Sequence, residues 1–418
     1  MATASRPRPQ PVLTDVTEAT SQDYLKAVMR GFHGEYDGQS WDLDRRLFEP
    51  GRCFGFTAGD RWVASCGAFT RTMTTPGGSV PIGAVTIVTV APTHRRQGLL
   101  SAMMRHQLAD IHRRKEPVAL LWASESAIYG RFGYGSAVPR LVVTGRTTDT
   151  AFLPGVDLGG GWVEEVSAEE YGAVVPDLHA RLLPDRPGAL DRSAVFWERD
   201  LTDRPESRKG APPVRYALHF DVSGQLDGYA RFKVTSPWTG DLPDAEVEIV
   251  EIDAADVTAR AGLWRFLFDL DLVRRFRCHG LAVDEPLRYL LANPRILITT
   301  LTDSTYVRIV DLPKALAGRR YGADLDVVVQ VSDPLLAHND GTYRLQAAAG
   351  AQARVTRAGR RRPDLSLGIR ELGSIYLGGT SLTALHRAGR VSERTPGAVA
   401  AMTMAFDWPQ QPYCPDDF

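Results

Sequence analysis

The chain has 418 residues, more than one ordinary domain, and at ~150 residues per domain it suggests two to four. Its 24% charged and 44% hydrophobic residues match a globular composition and exclude a mainly disordered chain. Lys plus Arg (49) balance Asp plus Glu (50) to a net charge of −1, which argues against a chain-wide nucleic-acid binder, since phosphate contacts leave a basic footprint.

The polar arm, residues 1–14, has no continuous apolar stretch, so no secretory leader is expected. Residues 21–32 have helical spacing, with Tyr24, Leu25, Val28, Met29 and Phe32 on one face. Residues 53–69 predict a hairpin that turns at Gly59-Asp60. A β-branched strand over 84–90, a helix over 99–111 and a buried strand over 118–122 follow. Glycines punctuate 129–135, and 141–144 predict another strand. Residues 1–150 are therefore expected to form an α/β domain.

A Pro- and Gly-rich break at 152–161 opens a second α/β pattern, assigned to 151–296. It comprises a helix over 169–183, strands over 216–221, 228–234 and 246–252, and a helix over 261–276. It repeats the first half, but no glycine-arginine turn follows its strand. The third segment, 297–418, predicts a hairpin of 325–331 with 343–347, then helices around 367–372 and 399–406.

Cys53, Cys66, Cys278 and Cys414 form no CxxC pair, so no metal site is expected, and scattered thiols fit a reducing, cytoplasmic setting. No run reaches the ~18–20 apolar residues of a membrane span, and no membrane partner is expected. His94, His106 and His112 lack HExxH spacing, Ser136 lacks a GxSxG elbow, and the basic run 360–362 reads as a solvated loop.

The chemistry concentrates at Val85-Thr-Ile-Val-Thr-Val-Ala-Pro-Thr-His-Arg-Arg-Gln-Gly98-Leu-Leu-Ser-Ala-Met. A strand runs into a turn holding Arg95, Arg96 and Gly98, and a helix starts at once. Unpaired N–H groups at a helix start carry about half a positive charge, so this is an anion cradle. Gly98 permits close approach, and the arginines add charge-assisted hydrogen bonds.

The run Val88-Thr-Val-Ala-Pro-Thr-His-Arg-Arg-Gln-Gly-Leu-Leu resembles the acetyl-CoA signature of GCN5-related N-acetyltransferases (GNATs). Together with Ala123-Ser-Glu-Ser-Ala-Ile-Tyr-Gly-Arg-Phe-Gly-Tyr-Gly135 it resembles the Eis (enhanced intracellular survival) branch; the segment from Ser374 to Gly379 and the terminal Phe418 extend the likeness. The resemblance implies α/β and α+β architecture: two tandem GNAT-like domains, the second without cofactor, plus a sterol-carrier-protein-like domain. It also implies a homohexamer. Val88, Thr89 and Val90 are expected to pair with the pantetheine arm of acetyl-CoA at a splayed strand edge. Arg96, Gln97, Gly98, Leu99, Leu100 and Ser101, helped by Arg95, are expected to hold the pyrophosphate. Gln97 stands where relatives often carry a third Arg, and Ser124 and Glu125 match positions near the cofactor.

Amine acetylation needs a base for the attacking amine and an acid for the leaving thiolate. The resemblance makes Tyr129 the acid and the carboxylate of Phe418 the base; a carboxylate in a partly desolvated site is a stronger base. Asp417 matches an acidic position lining the amine pocket, so a cationic substrate (an aminoglycoside, a polyamine or a lysine side chain) is expected. Phe32, Trp41 and Ile87 fit pocket positions. Glu35 is the chosen acidic partner, and Glu35, Asp37, Asp42 and Asp44 read equally well as a solvated loop. The competing class is a non-catalytic scaffold whose third domain holds an apolar ligand.

Overall fold

The computed structural model describes residues 9–418 other than 37, 209, 236 and 237; Asp37, one of the acids of the solvated-loop reading, lies outside the described residues. The first region contains β1 (Val12–Asp15), α1 (Glu18–Gly31), α2 (Trp41–Leu47), β2 (Phe54–Ala58), β3 (Arg61–Thr75), β4 (Gly78–Val90), α3 (Leu99–Arg113), β5 (Val118–Trp122), α4 (Ser126–Tyr129) and β6 (Gly135–Ser136). The second contains β7 (Pro139–Arg146), β8 (Trp162–Val166), α5 (Ala168–Leu182), α6 (Ala194–Leu201), β9 (Arg215–Phe220), β10 (Leu226–Thr235), β11 (Trp238–Thr239), β12 (Leu242–Pro243), β13 (Ala245–Ala254), α7 (Val257–Phe268), β14 (Val273–Leu281), α8 (Leu287–Leu290) and β15 (Ile298–Asp303). The third contains β16 (Thr305–Ile309), α9 (Leu312–Ala317), β17 (Leu325–Ser332), β18 (Gly341–Ala347), β19 (Arg354–Arg357), β20 (Leu365–Gly368), α10 (Ile369–Ile375), α11 (Leu382–Arg387), β21 (Val391–Glu393) and α12 (Ala398–Phe406).

Two seven-stranded sheets have the orders β1-β2-β3-β4-β5-β16-β6 and β15-β7-β14-β13-β10-β9-β8, and a five-stranded sheet has the order β19-β18-β17-β20-β21. Along the chain, sheet membership changes between β6 and β7 and between β15 and β16. One two-stranded ribbon runs through both large sheets. β6 pairs with β16 in the first, β7 pairs with β15 in the second, and Ser304 N–H donates to Val138 O at 3.0 Å at the crossing. Continuous backbone pairing carries the chain from one large sheet to the other, between β6 and β7 and again between β15 and β16.

Two expectations change. The helix predicted over 261–276 ends at Phe268; Leu272 takes φ 67° and β14 begins at Val273. The apolar period there switches to alternation, with Val273, Phe276 and Cys278 buried. The helix around 367–372 is strand β20 up to Gly368 and α10 only from Ile369.

The first sheet is covered on both faces. On one, α3 buries Leu99, Met103, Met104, Leu108 and Ile111, about three residues per two turns, against Val85, Ala119 and Leu121. On the other, Ile82, Ala84, Val118 and Leu120 join the core of the third region, including Tyr376, Met402 and Phe406. Successive residues of β5 thus serve two cores, because strand side chains alternate faces. No helix among the described residues is long and apolar enough to cross a membrane.

Candidate active site

The site begins with an irregularity in β4. Ser65 faces Thr89 while Gly67 faces Thr86, so β4 carries one extra residue, a bulge, and Ile87 sits at φ 49°. Gly67 makes room for it, since a Cβ there would lie 2.9 Å from Ile87 Cδ1 and 3.0 Å from Cys53 Sγ. Ser65 Oγ fastens the bulge, donating to Ile87 O at 2.7 Å and sharing a 2.6 Å hydrogen bond with Thr89 Oγ1. On its other side β4 pairs in parallel with β5 only from Ile82 to Val85. Past Val85 that pairing stops, and Val88, Thr89 and Val90 line a cleft.

At the end of β4 the chain turns through a single 3₁₀ turn, Pro92–His94, to the N-terminus of α3. Arg96 (φ 61°) and Gly98 (φ 79°) are left-handed, which tightens the turn and presents successive N–H groups. Gly98 caps α3 without a side-chain hydrogen bond, and a Cβ there would meet nothing within 4 Å. The first N–H groups of α3 have no intrahelical acceptor. Arg95 and Arg96 are exposed beside them. The cleft has a volume of about 600 Å³, and His94, Arg95, Arg96, Gly98, Leu99, Leu100, Ser101, Ser124 and Glu125 also line it.

A smaller chamber of about 200 Å³ lies behind the splay, lined by Thr86, Ile87, Trp122, Asp417 and Phe418 among others. Phe32, Val88, Ser124 and Tyr129 line both spaces. Tyr129 closes α4 and is 8% exposed. Burial, assisted by the negative potential of Cys66 and Glu125, pushes its phenol up to about 12, so it stays protonated through the neutral range. Tyr134 packs edge-on to it, 6.0 Å between ring centres, and is fully buried.

The last residues thread back between the first two regions. Tyr413 donates its N–H to Pro187 O at 2.9 Å and its hydroxyl to Gly280 O at 2.7 Å. Trp122 Nε1 donates to Asp416 O at 2.8 Å, and Asp416 Oδ1 accepts from Arg192 Nε at 2.7 Å. Arg71 Nη2 lies 3.5 Å from the same oxygen. Arg192 also holds Glu251, with contacts of 2.9 and 3.2 Å. Burial alone would raise the Glu251 pKa, but Arg192 and Arg231 outweigh it and hold the carboxyl below the usual range.

Most of the predicted positions therefore meet around two joined spaces. Gln97 is exposed and is not part of either wall, nor are Glu35 and Trp41. Glu35 is exposed in the loop after α1, while Trp41 opens α2, which Arg46 ties to Glu198 of α6. Sequence reasoning missed Trp122 as a wall residue, Arg131 and His33 in the larger cleft, and the Asp416 anchor. Arg131 lay inside the quoted Tyr-Gly-Arg-Phe-Gly motif and Asp416 beside Asp417; nothing in the sequence linked Arg71, Arg192 or Glu251 to them.

Family models described as acetyltransferase (GNAT) domains match residues 13–137 and 188–309, and a sterol carrier protein domain model matches 312–415. An uncharacterized N-acetyltransferase of Streptomyces avermitilis is 38% identical over 97% of this chain and all of its own length. The N-acetyltransferase Eis of Mycobacterium tuberculosis is 33% identical over 80% of each chain. The crystal structure of Eis1 from Mycobacterium abscessus superposes with a TM-score of 0.85 at 30% identity, covering 97% of this chain and all of the other. The chain belongs to the Eis family of GCN5-related N-acetyltransferases. Its architecture is that of the family, two GNAT domains followed by a sterol carrier domain, and the protein is an N-acetyltransferase. The GNAT fold implies use of acetyl-CoA. The larger cleft fits such a cosubstrate: an open strand edge, a left-handed Gly98 with free space at its Cβ position, and a bare helix N-terminus flanked by two arginines.

Proposed function

We propose that this enzyme acetylates primary amines of cationic substrates (aminoglycosides, polyamines or lysine side chains) by direct attack, with Tyr129 as general acid and the carboxylate of Phe418 as general base. The observation that supports it is the shared wall. Tyr129 borders both the larger cleft and the smaller chamber, and Asp417 and Phe418 line only the latter. In this reading Val88, Thr89 and Val90 hold the pantetheine arm through backbone hydrogen bonds, and Arg95, Arg96 and the start of α3 hold the pyrophosphate. Acetyl-CoA supplies the activated thioester. The amine enters the chamber, where Asp417 favours its positive charge and Phe32 and Ile87 shape the apolar wall. The Phe418 carboxylate takes a proton from the amine, nitrogen bonds to the acetyl carbon, and the carbon–sulfur bond breaks. Tyr129 then gives its proton to the departing thiolate and is restored from solvent.

A thiol-release assay over an amine panel tests the reading, comparing the full chain with a variant lacking Phe418. Loss of the base should lower kcat by about 10²–10⁴ while acetyl-CoA binding persists. Full activity without Phe418 would sink the terminal-carboxylate mechanism.

A further inference from the structure

We propose that Asp416 is a positioning residue and that the second GNAT unit, through Arg192 and Glu251, is the clamp that seats the terminal segment in the acceptor chamber. The inference rests on the proposed role of the Phe418 carboxylate and goes on to say what places it.

Two strands and one connecting segment of the fold supply the clamp. Arg71 comes from β3, Glu251 from β13, and Arg192 from the segment before α6. Their side chains are 3%, 4% and 1% exposed, and that of Asp416 is 2%. The Asp416 carboxylate meets Arg192 at 2.7 Å and Arg71 at 3.5 Å, while Glu251 takes the other side of Arg192 and is itself held by Arg231 at 2.7 Å. Tyr229 donates to Glu251 at 3.3 Å and shares a 3.1 Å hydrogen bond with His179, which closes the network. Arg71 is turned by Asp191, which also accepts from Thr72 N–H at 2.8 Å, and its guanidinium lies 4.1 Å from the Phe196 ring centre.

Such a buried network gains little net stability over apolar packing, because desolvation offsets the attraction; what it supplies is a fixed geometry. The geometry here points at the chamber. Trp122 Nε1 donates to Asp416 O at 2.8 Å, and Trp122 is itself part of the chamber wall. Asp417 and Phe418 follow directly and line the same chamber. With Asp416 held by both its side chain and its carbonyl, only two residues separate the clamp from the terminal carboxylate, a reach of roughly 7 Å. The second GNAT unit, which has no glycine-arginine turn of its own, thereby acquires a part in the reaction of the first.

The test uses the full-length protein and the variants Asp416→Asn, Arg192→Met and Trp122→Phe. The first keeps the side-chain shape, and the last removes the N–H donor to Asp416 O, so one foldable variant remains if the buried arginine is indispensable. Two readouts are taken on each: steady-state kinetics, and the rate at which carboxypeptidase A, which prefers terminal aromatics, releases Phe418. The expected result is at least tenfold faster release and at least tenfold lower kcat for Asp416→Asn, with the acetyl-CoA KM within twofold of wild type. A general loss of structure would move both constants together. Faster release with unchanged kcat overturns the positioning role and the terminal-carboxylate reading with it. Unchanged release overturns the clamp and leaves that reading standing.

Discussion

Replacing Tyr129 with Phe removes one oxygen from the wall between the two spaces and keeps the ring that packs against Tyr134. Tyr129 is 8% exposed and its phenol is raised to about 12, first by burial and then by Cys66 and Glu125. The protonated form is therefore the resident form well past neutrality, ready to donate its proton. If the hydroxyl is the general acid, its loss should cut kcat by about 10²–10⁴, or roughly 3–5 kcal/mol of transition-state stabilisation. The acetyl-CoA KM should hardly move, because the cradle around Gly98 is untouched. The raised pKa also sets a pH expectation. Donation fails only when the phenol ionises, so wild type should show no alkaline loss attributable to Tyr129 between pH 8 and 10. Thiol release at saturating amine and acetyl-CoA, scanned over pH, reads both effects. A variant retaining more than half the wild-type kcat would refute the assignment.

Other consequences can be measured separately. Gly98→Ala forces a side chain into φ 79°, which costs about 1–2 kcal/mol, and places a Cβ in the open space of the cleft; calorimetric titration should show acetyl-CoA binding weakened about tenfold, and an unchanged Kd would count against the cradle. Arg52 and Glu116 pair fork to fork at 2.7 Å with side chains 1% and 5% exposed. Glu116→Ala strands the buried guanidinium and should cost about 3–5 kcal/mol in urea unfolding, and a loss under about 1 kcal/mol would show the pair to be dispensable. Burial raises Cys53 and Cys278 from 9.0 to about 12. A thiol raised on folding contributes stability that is complete below its unfolded value and lost as pH rises toward the folded one. Unfolding free energy should therefore fall between pH 9 and 12 by up to about 1.4 kcal/mol per unit for each thiol, and a flat profile would contradict this.

Local signals carried a large part of this protein. The alternation in β4, the apolar stripe of α3 and the Arg-Arg-Gln-Gly turn are short-range patterns, so the sequence alone determines the strand–turn–helix cradle and the family it belongs to. The end of α7 misled because Leu270 prolongs a helical apolar count, and only the pairing of β14 with β13 and β7 decides that Val273 starts a strand. The ribbon that fuses the two large sheets joins residues more than 150 positions apart, and no local propensity encodes such pairing. The same holds for the acceptor chamber. Its walls come from β4, β5, Phe32 after α1, Ser124, Tyr129 of α4 and the last two residues, and its anchor comes from Arg71, Arg192 and Glu251. Buried charges acquire meaning only through partners brought close by folding, which is why Asp416 read as one more acid in a polar tail until the tertiary structure set two arginines against it.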